Sequence, residues 1–357
     1  MNKIELGWFI PTQGDTTAYG DPSADVPSSL EMFDRVTSTA EKAGFEYLLI
    51  PVNLHCWEAW ITGAMMAARS KTIKPLIAAR PGYINPVLLA KMIATFDQLS
   101  GGRICINLIA GLSDEQSAGD GLRYSKEDRY KLMEEEVTIL KALWTATGPL
   151  DFDGQFYKLK NAVIMPPTYQ KPYPKFYLGG GSAEAWEMSA KHSDVHLFWG
   201  DHPDRIAADM VKIRALAAKY GRENDIGFGM RLQIICREKE DDAWQAAHTL
   251  IASAGKEHLE RIKAAFANSA ANKRQQELGQ SDLIMPHLWT GITKVRSGAG
   301  VTIVGNPQQC ADTLQQFIDV GCHSFCLSGY LHDEEAERFG RLVLPLIQAR
   351  NRDRMAA

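Results

Sequence analysis

Apolar runs typical of buried strands alternate with amphipathic helical stretches from one end of the chain to the other. Strands that are apolar on both faces and separated by helices form parallel sheets covered by helices. Eight strands are predicted, at residues 4–10, 47–51, 73–79, 103–109, 176–178, 195–199, 226–237 and 324–328. A helix follows each strand, and eight such units predict an α/β fold, a closed (β/α)8 TIM barrel.

The predicted helices cover residues 28–43, 59–69, 86–99, 126–144, 182–192, 203–220, 240–253 and 333–348. The alternative architecture is an open, doubly wound sheet that binds a dinucleotide. Its fingerprint, Gly-x-Gly-x-x-Gly after the first strand, is absent, and residues 11–15 are PTQGD instead. The pattern therefore favours a single barrel domain over residues 1–357.

Two long segments interrupt the alternation of strand and helix. Residues 145–175 contain the sequence DFDGQF at 151–156, whose Asp-Gly pair predicts a β-hairpin. Residues 254–322 separate the seventh and eighth strands and carry predicted helical segments, the last near residues 308–320. Because barrel enzymes place their chemistry at the C-terminal ends of the strands, this second segment is predicted to be a lid or a binding loop.

Two short sequences near the C-terminus carry candidate chemistry. Residues 295–300, VRSGAG, predict a flexible loop within the lid segment that presents Arg296. Residues 327–332, LSGYLH, predict a strand end that presents Tyr330 and His332. An arginine on a mobile loop beside such a strand end suits an anionic substrate over which the loop closes.

Composition and charge exclude several classes of protein. Hydrophobic residues make up 45% and charged residues 23% of the 357-residue chain, as in soluble globular proteins. The net charge of −4 gives no basic surface for nucleic acid or a membrane, and no apolar run approaches the roughly 18 residues of a membrane span. The first ten residues predict a strand and no signal peptide. The six cysteines are dispersed, no metal-ligand spacing occurs, and a cytoplasmic protein with reduced thiols is expected.

A glycine run at 179–181, followed by Ser182, has two interpretations. It suits a phosphate held at a helix N-terminus, and it also suits a plain helix cap with turn glycines.

Asn107, inside an apolar strand, also has two interpretations. Its amide either meets a ligand in the barrel mouth or bonds to neighbouring backbone.

Two arginines at strand positions also admit two interpretations. Arg231, in the seventh strand, and Arg80, at the end of the third, either bind an anion or pair with a structural carboxylate.

Cys56 follows His55, so a nucleophilic Cys–His pair is conceivable, although no third orienting residue can be named.

Several sequences taken together resemble the bacterial-luciferase-like flavin monooxygenases, and most closely the FMNH2-dependent alkanesulfonate monooxygenases. These sequences are FIPT at 9–12, DQLSGGR at 97–103, GDG at 119–121, PYP at 172–174, GGS at 180–182, WG at 199–200 and LSGYLH at 327–332, with Arg231 and Arg296. The resemblance runs from Trp8 to about residue 347. It implies a barrel that holds reduced FMN at the C-terminal ends of its strands.

The resemblance implies a role for each matching position. Cofactor-binding roles fall to Ala79, Asn107 and Tyr130, which correspond to flavin-lining positions, and to Gly181 and Ser182 in the phosphate loop. Catalytic roles fall to Arg231, Arg296, Tyr330 and His332. Substrate-binding roles fall to Trp199, Gln233, Cys56 and Gln13.

The resemblance also implies partners and a reaction. Reduced FMN would come from a separate NAD(P)H:FMN reductase, O2 would be the co-substrate, and C–S cleavage of an organosulfonate would release sulfite and an aldehyde. Relatives pair through barrel helices, so a homo-oligomer, dimer or tetramer, is expected.

The chain departs from the alkanesulfonate pattern at three places. The family has histidine where Gln233 stands, His-Gly-Asp-Gly-His where residues 13–17 are QGDTT, and Thr-Gly-Arg-Ser where residues 52–55 are VNLH. Amides both donate and accept hydrogen bonds, so Gln13 and Gln233, with Leu54 in place of an arginine, suit a hydroxylated substrate. The hypothesis is therefore a polar organosulfonate such as sulfoquinovose.

Other functions stay open at this point. The substrate is alternatively an alkanesulfonate such as methanesulfonate, or a sulfone, a pyrimidine or an alkane, although the arginines argue against an alkane. A non-catalytic flavin- or anion-binding protein is a third possibility, against which the combination of Tyr330, His332 and Arg296 argues.

Overall fold

The computed structural model describes residues 2–111, 114–266 and 270–355. Eight parallel strands close into a barrel, because the first strand pairs with both the second and the eighth, and the sixth pairs with the seventh. The strands are β1 (Glu5–Phe9), β2 (Tyr47–Ile50), β3 (Lys74–Ala79), β4 (Cys105–Leu108), β5 (Phe176–Gly179), β6 (Val195–Trp199), β7 (Gly227–Cys236) and β8 (Ser324–Ser328). The predicted (β/α)8 barrel is confirmed.

Helices cover the outside of the barrel, and polar side chains begin several of them. Ser29 accepts a hydrogen bond from the backbone N–H of Met32, and Ser125 accepts one from Asp128. The helices between the strands are Leu30–Lys42, Ala59–Arg69, Pro86–Ser100, Asp114–Gly119, Lys126–Thr145, Ala183–His192, Pro203–Ala218 and Glu240–Ala252, with a 3-10 turn at Pro22–Ala24.

The C-terminal helix differs from the single element predicted over residues 333–348. A π-helical turn at Phe339–Val343 separates His332–Arg338 from Leu344–Arg350, and a short helix, Arg352–Met355, follows. Within the described ranges, no helix combines the length and the apolar character that crossing a membrane requires.

The inside of the barrel changes from apolar to polar towards the C-terminal ends of its strands. Side chains from six strands form a central apolar layer of Tyr47, Leu49, Leu76, Cys105, Tyr177, Val195, Leu197 and Cys326. Asn107 lies two residues beyond Cys105 on the same face of β4. Arg231, on β7, is in register with Cys326 of β8. The apolar layer closes the interior below these groups, so a polar ligand reaches them from the C-terminal end.

The first interrupting segment forms the predicted hairpin. Strands Leu150–Asp153 and Lys158–Ala162 pair antiparallel. The carboxylate of Glu135, on the helix Lys126–Thr145, accepts backbone hydrogen bonds from Gln155 at 2.6 Å and Phe156 at 2.9 Å. The helix therefore holds the turn of the hairpin.

The second segment extends the barrel sheet, which the sequence pattern did not predict. Strand Thr302–Gly305 pairs in parallel with residues 233–236 at the far end of β7, and two short strands, Leu283–Met285 and Leu288–Trp289, continue the sheet outward. The helices of the segment are Lys256–Phe266, Ala270–Leu278, Gly291–Val295 and Pro307–Asp319, the last of which was predicted. The strand fixes residues 296–300 beside the C-terminal end of the barrel.

An ion pair between a buried carboxylate, Glu5, and a half-exposed lysine, Lys175, at the opposite end of the barrel generates a stability prediction. The Glu5 carboxylate lies 2.7 Å from Lys175 Nζ and accepts a hydrogen bond from Tyr177 at 2.8 Å. Burial opposes ionisation, but Lys175 and Tyr177 outweigh it and lower the pKa of Glu5 below its ordinary value of 4.5. The stabilisation is therefore present above this pH and is lost as the pH falls through the lowered pKa.

We predict that Glu5→Gln lowers the free energy of unfolding at pH 7 by about 1–3 kcal/mol, because a charge-assisted pair is lost. The difference between variant and parent should shrink on acidification below pH 4.5, where the parent loses the same contribution. Urea unfolding at pH 7 and pH 4 measures both effects. Glu31→Gln, which removes an exposed helix-surface carboxylate, is the matched control. A loss that is equal at both pH values would contradict the assignment.

Candidate active site

Arg231 lies inside the barrel mouth, and its side chain is held by neutral groups. Its backbone pairs with Trp199 on β6 and with Cys326 on β8, so β7 presents it between these strands. The Nη1 atom donates to the Leu232 carbonyl at 2.9 Å, and the guanidinium carbon lies 4.6 Å from the centre of the Phe9 ring. Burial, assisted by the nearby charge of Arg296, lowers the pKa of Arg231.

Arg296 and Tyr330 meet as the two C-terminal sequences predicted. Arg296 Nη1 donates to the Tyr330 hydroxyl at 2.8 Å, so the loop of the lid segment is bonded to the end of β8. A third residue, Tyr19, donates its own hydroxyl to Tyr330 at 2.5 Å. Tyr19 was absent from the predicted site, because it lies in the loop after β1 and no motif marked it.

His332 completes the end of β8 and is held by Asp15. Asp15 Oδ2 accepts the backbone N–H of His332 at 2.7 Å and lies 2.9 Å from the imidazole Nδ1. The histidine is 2% exposed, and neither ring nitrogen has a well-aligned hydrogen bond to the described residues. The Nε2 atom is therefore a buried polar group that a ligand can satisfy.

The two arginines of the site lack carboxylate partners. In the described parts of the chain, neither Arg231 nor Arg296 has an acidic oxygen within ion-pair distance, and both contact carbonyls, phenols or rings instead. Arg80 differs, since its Nη1 lies 3.7 Å from Asp120, as the structural interpretation of that residue expected. Two guanidinium groups without counter-charges among the described residues are chemically suited to an anion.

Side-chain amides hold the backbone of the loop at 296–300. Gln233 Nε2 donates to the Ala299 carbonyl at 3.0 Å, and Gln233 Oε1 accepts the Ser328 hydroxyl at 2.5 Å. Gln275 accepts the N–H of Gly300 at 3.3 Å and donates to Gly200 at 3.0 Å. Each amide makes one hydrogen bond as donor and one as acceptor in these contacts, so Gln233, predicted to bind substrate, here supports the loop that carries Arg296.

A second cluster forms at the start of the helix Ala183–His192. Ser182 caps the helix by accepting a hydrogen bond from Ala185 at 3.3 Å, and its hydroxyl also contacts that of Tyr130, whose pKa burial raises. The position of Gly181 is open, with no atom within 4 Å of a side chain built there. Gly181, Ser182 and Tyr130, each predicted to bind the cofactor, therefore lie close together at the start of this helix.

The remaining predicted positions are spread around the mouth. Asn107 is 6% exposed and faces the interior. Ala79 packs in the layer between strands and helices, and alternation turns Ala78 inward instead. Gln13 is exposed to solvent. Burial raises the pKa of the Cys56 thiol, although Thr12 and two arginines oppose the rise, so Cys56 is not an activated nucleophile.

A family model for the luciferase-like monooxygenases matches residues 4–324. The chain belongs to this family. The expectation that it is an enzyme of the luciferase-like monooxygenase type is thereby confirmed. In the described ranges, no group of three or more histidine, cysteine or acidic side chains could hold a metal ion.

Three solved structures share the fold over nearly the whole chain. Riboflavin lyase RcaE, solved with modified FMN and riboflavin, is 17% identical, with a TM-score of 0.81 over 98% of this chain and 92% of its own. EDTA monooxygenase EmoA from Chelativorans sp. BNC1 is 17% identical, with a TM-score of 0.78 over 99% and 98%. An F420-dependent secondary alcohol dehydrogenase, solved with an F420-acetone adduct, is 15% identical, with a TM-score of 0.68 over 97% and 99%.

We predict that Gln275→Leu loosens the loop at 296–300. The change leaves the buried N–H of Gly300 and the carbonyl of Gly200 without partners, which costs about 1–3 kcal/mol. Hydrogen–deuterium exchange should therefore be at least about five-fold faster at residues 297–300. Gln276→Leu, on the same helix, is the control, because its amide makes none of these contacts. Equal exchange in both variants would show that Gln275 does not hold the loop.

Proposed function

We propose that this chain is a two-component monooxygenase that uses reduced FMN and O2 to release sulfite from an organosulfonate, with formation of an aldehyde. The proposed substrate is polar, with sulfoquinovose as the leading candidate. A separate NAD(P)H:FMN reductase would supply the reduced flavin, which agrees with the missing dinucleotide fingerprint after β1.

The observation that carries the proposal is the pair of guanidinium groups that have no carboxylate partner among the described residues. Arg231 comes from the barrel interior and Arg296 from the lid segment, so an anion between them would contact both a fixed and a closing element. Guanidinium groups bind tetrahedral oxyanions through paired, directional hydrogen bonds. The three oxygens of a sulfonate could accept hydrogen bonds from both guanidinium groups at once.

The residues near Ser182 fit the phosphate of FMN. Backbone N–H groups at a helix N-terminus favour an anion, and the open position at Gly181 lets a phosphate approach the backbone closely. Ser182 and Tyr130 would hold the phosphate, and the inward-facing amide of Asn107 would meet the polar ring system. Bound reduced FMN would supply the electrons with which O2 is activated.

The chain's own residues would bind, orient and protect the substrate. Arg231 would fix the sulfonate, and Arg296 would complete the contact when its loop covers the mouth. The covered site excludes water, which limits wasteful decay of reactive oxygen species. Tyr330 and His332, whose rings lie 5.0 Å apart, are within reach of the same space and can hold or move protons.

The preference for a polar substrate draws support from groups other than Gln233. The Gln233 amide is occupied by Ala299 and Ser328, and Leu54 is 69% exposed. The unsatisfied Nε2 of His332 and the phenols of Tyr19 and Tyr330 remain as polar groups at the mouth. Hydroxyl groups on the substrate would pair with them.

A carboxylate-bearing amine is a second candidate substrate. The same pair of arginines fits carboxylates, and the similar EDTA monooxygenase is named for such a compound. With this substrate, the fold, the flavin and the reductase of the proposal would be the same, and only the bond that is cleaved would differ.

Sulfite release tests the proposal directly. The purified chain would be combined with FMN, a flavin reductase, NADH and O2, and offered sulfoquinovose, methanesulfonate, octanesulfonate or EDTA. We expect sulfite from sulfoquinovose in preference to the alkanesulfonates. Preference for an alkanesulfonate would contradict the polar substrate. Absence of sulfite from every sulfonate would contradict desulfonation, and turnover with F420 in place of FMN would contradict the cofactor.

We predict that Arg231→Met lowers kcat/KM for the sulfonate by about 30- to 150-fold, because a charged hydrogen bond to the substrate is worth roughly 2–3 kcal/mol. Arg296→Met should have a similar effect, with FMN binding within about two-fold of the parent in both variants. Arg341→Met, which removes a half-exposed arginine on the C-terminal helix, is the matched control. Unchanged kcat/KM in Arg231→Met would remove the anion site from the mechanism.

A further inference from the structure

The loop after β1 delivers Tyr19 to the end of β8, although 311 positions separate Tyr19 from Tyr330 in the chain. The Tyr19 backbone N–H donates to the Leu250 carbonyl at 2.8 Å, so the loop is tied to the helix that precedes the lid segment. The next residue, Gly20, has a φ of +89°, and a Cβ atom there would lie 2.6 Å from the Ser253 carbonyl oxygen. The backbone on both sides of Tyr19 is therefore fixed.

Tyr330 receives two hydrogen bonds through one phenol oxygen. Tyr19 donates at 2.5 Å and Arg296 Nη1 donates at 2.8 Å. A phenol oxygen offers two acceptor positions and one O–H donor. Since both acceptor positions are filled, the Tyr330 proton is directed to neither neighbour and is available to the open side of the site.

We propose that Tyr19 is a positioning residue that makes Tyr330 a proton donor in the reaction. In the transfer, the O–H bond of Tyr330 breaks, and its proton forms a new O–H bond on a substrate oxygen that gains negative charge. The electron pair stays on the Tyr330 oxygen, where the donors Tyr19 and Arg296 stabilise it, and the proton is later regained from solvent. The identity of the reaction rests on the proposed function, but the Tyr19–Tyr330 contact does not.

The groups around Tyr330 support this direction of transfer. Burial and the neighbouring Tyr330 raise the pKa of Tyr19 well above its ordinary value, so Tyr19 keeps its proton and acts as a donor. Arg296 and the more distant Arg231 supply positive charge on the lid and β7 sides. His332, 5.0 Å away between ring centres, and its partner Asp15 face Tyr330 from the end of β8 and the loop after β1.

Tyr19→Phe tests the role while keeping the edge-to-face packing of the two rings, whose centres lie 5.4 Å apart. We expect kcat to fall by about 10- to 100-fold, with KM within about two-fold, because proton donation weakens while substrate binding persists. The alkaline limb of the pH profile of kcat should move to higher pH, and Tyr330→Phe should abolish that limb. Tyr220→Phe, which removes a surface hydroxyl bonded to Glu187, should change neither property. A lower kcat with an unshifted alkaline limb would overturn the positioning role.

A double-mutant cycle gives a readout that needs no turnover. Urea unfolding of the parent, Tyr19→Phe, Tyr330→Phe and the double variant should show non-additive effects, because each single change already removes the shared hydrogen bond. Additive effects would overturn the proposal, whatever the activity. If the parent releases no sulfite from any sulfonate, the proposed function fails, and the cycle alone decides whether Tyr19 positions Tyr330.

Discussion

Strand β7 carries the constraint on which the rest of the site depends. It is ten residues long, and its first half pairs with β6 and β8 while its last residues pair with the strand Thr302–Gly305 of the lid segment. Parallel pairing leaves little freedom of register where both faces are buried. The same strand therefore sets the depth of Arg231 inside the barrel and the position at which the lid segment returns with Arg296.

This arrangement leaves two arginines at the barrel mouth that have no acidic partner among the described residues. A buried charge is unfavourable unless other groups compensate it, and here carbonyls, phenols and the Phe9 ring give partial compensation. On the proposed function, a bound anion would complete that compensation. A carboxylate placed beside Arg231 would stabilise the fold and, by the same contact, occupy the place of a substrate anion.

The barrel could be predicted from sequence because its strands are continuous apolar runs, and the contact of Arg296 with Tyr330 followed from two short motifs. The strand Thr302–Gly305 was missed although it is rich in β-branched residues, because it follows the glycine loop and its partner in the barrel is the last part of β7, residues 233–236. Ala79 shows a second limit, since a shift of one residue moves a side chain to the other face of a strand. Tyr19 and Asp15 act across more than 300 positions, and no local pattern contains that information.

The role of Gln233 alters where substrate selectivity should be sought. In the sequence, a glutamine in place of the histidine of the alkanesulfonate enzymes suggests a different contact with the ligand. In the structure, however, the Gln233 amide nitrogen is bonded to the lid loop and its oxygen to β8. Gln275 bonds to the backbone of Gly300 and Gly200, and Gln233 bonds to the Ala299 carbonyl and to the Ser328 hydroxyl, so both amides connect neighbouring segments of the protein. Substitution at such a position changes how firmly the loop is held. On the proposed function, an anion that bridges Arg231 and Arg296 would favour the same closed arrangement. Selectivity and closure would then be linked, because a substrate that fails to reach both arginines would also fail to stabilise the covered state.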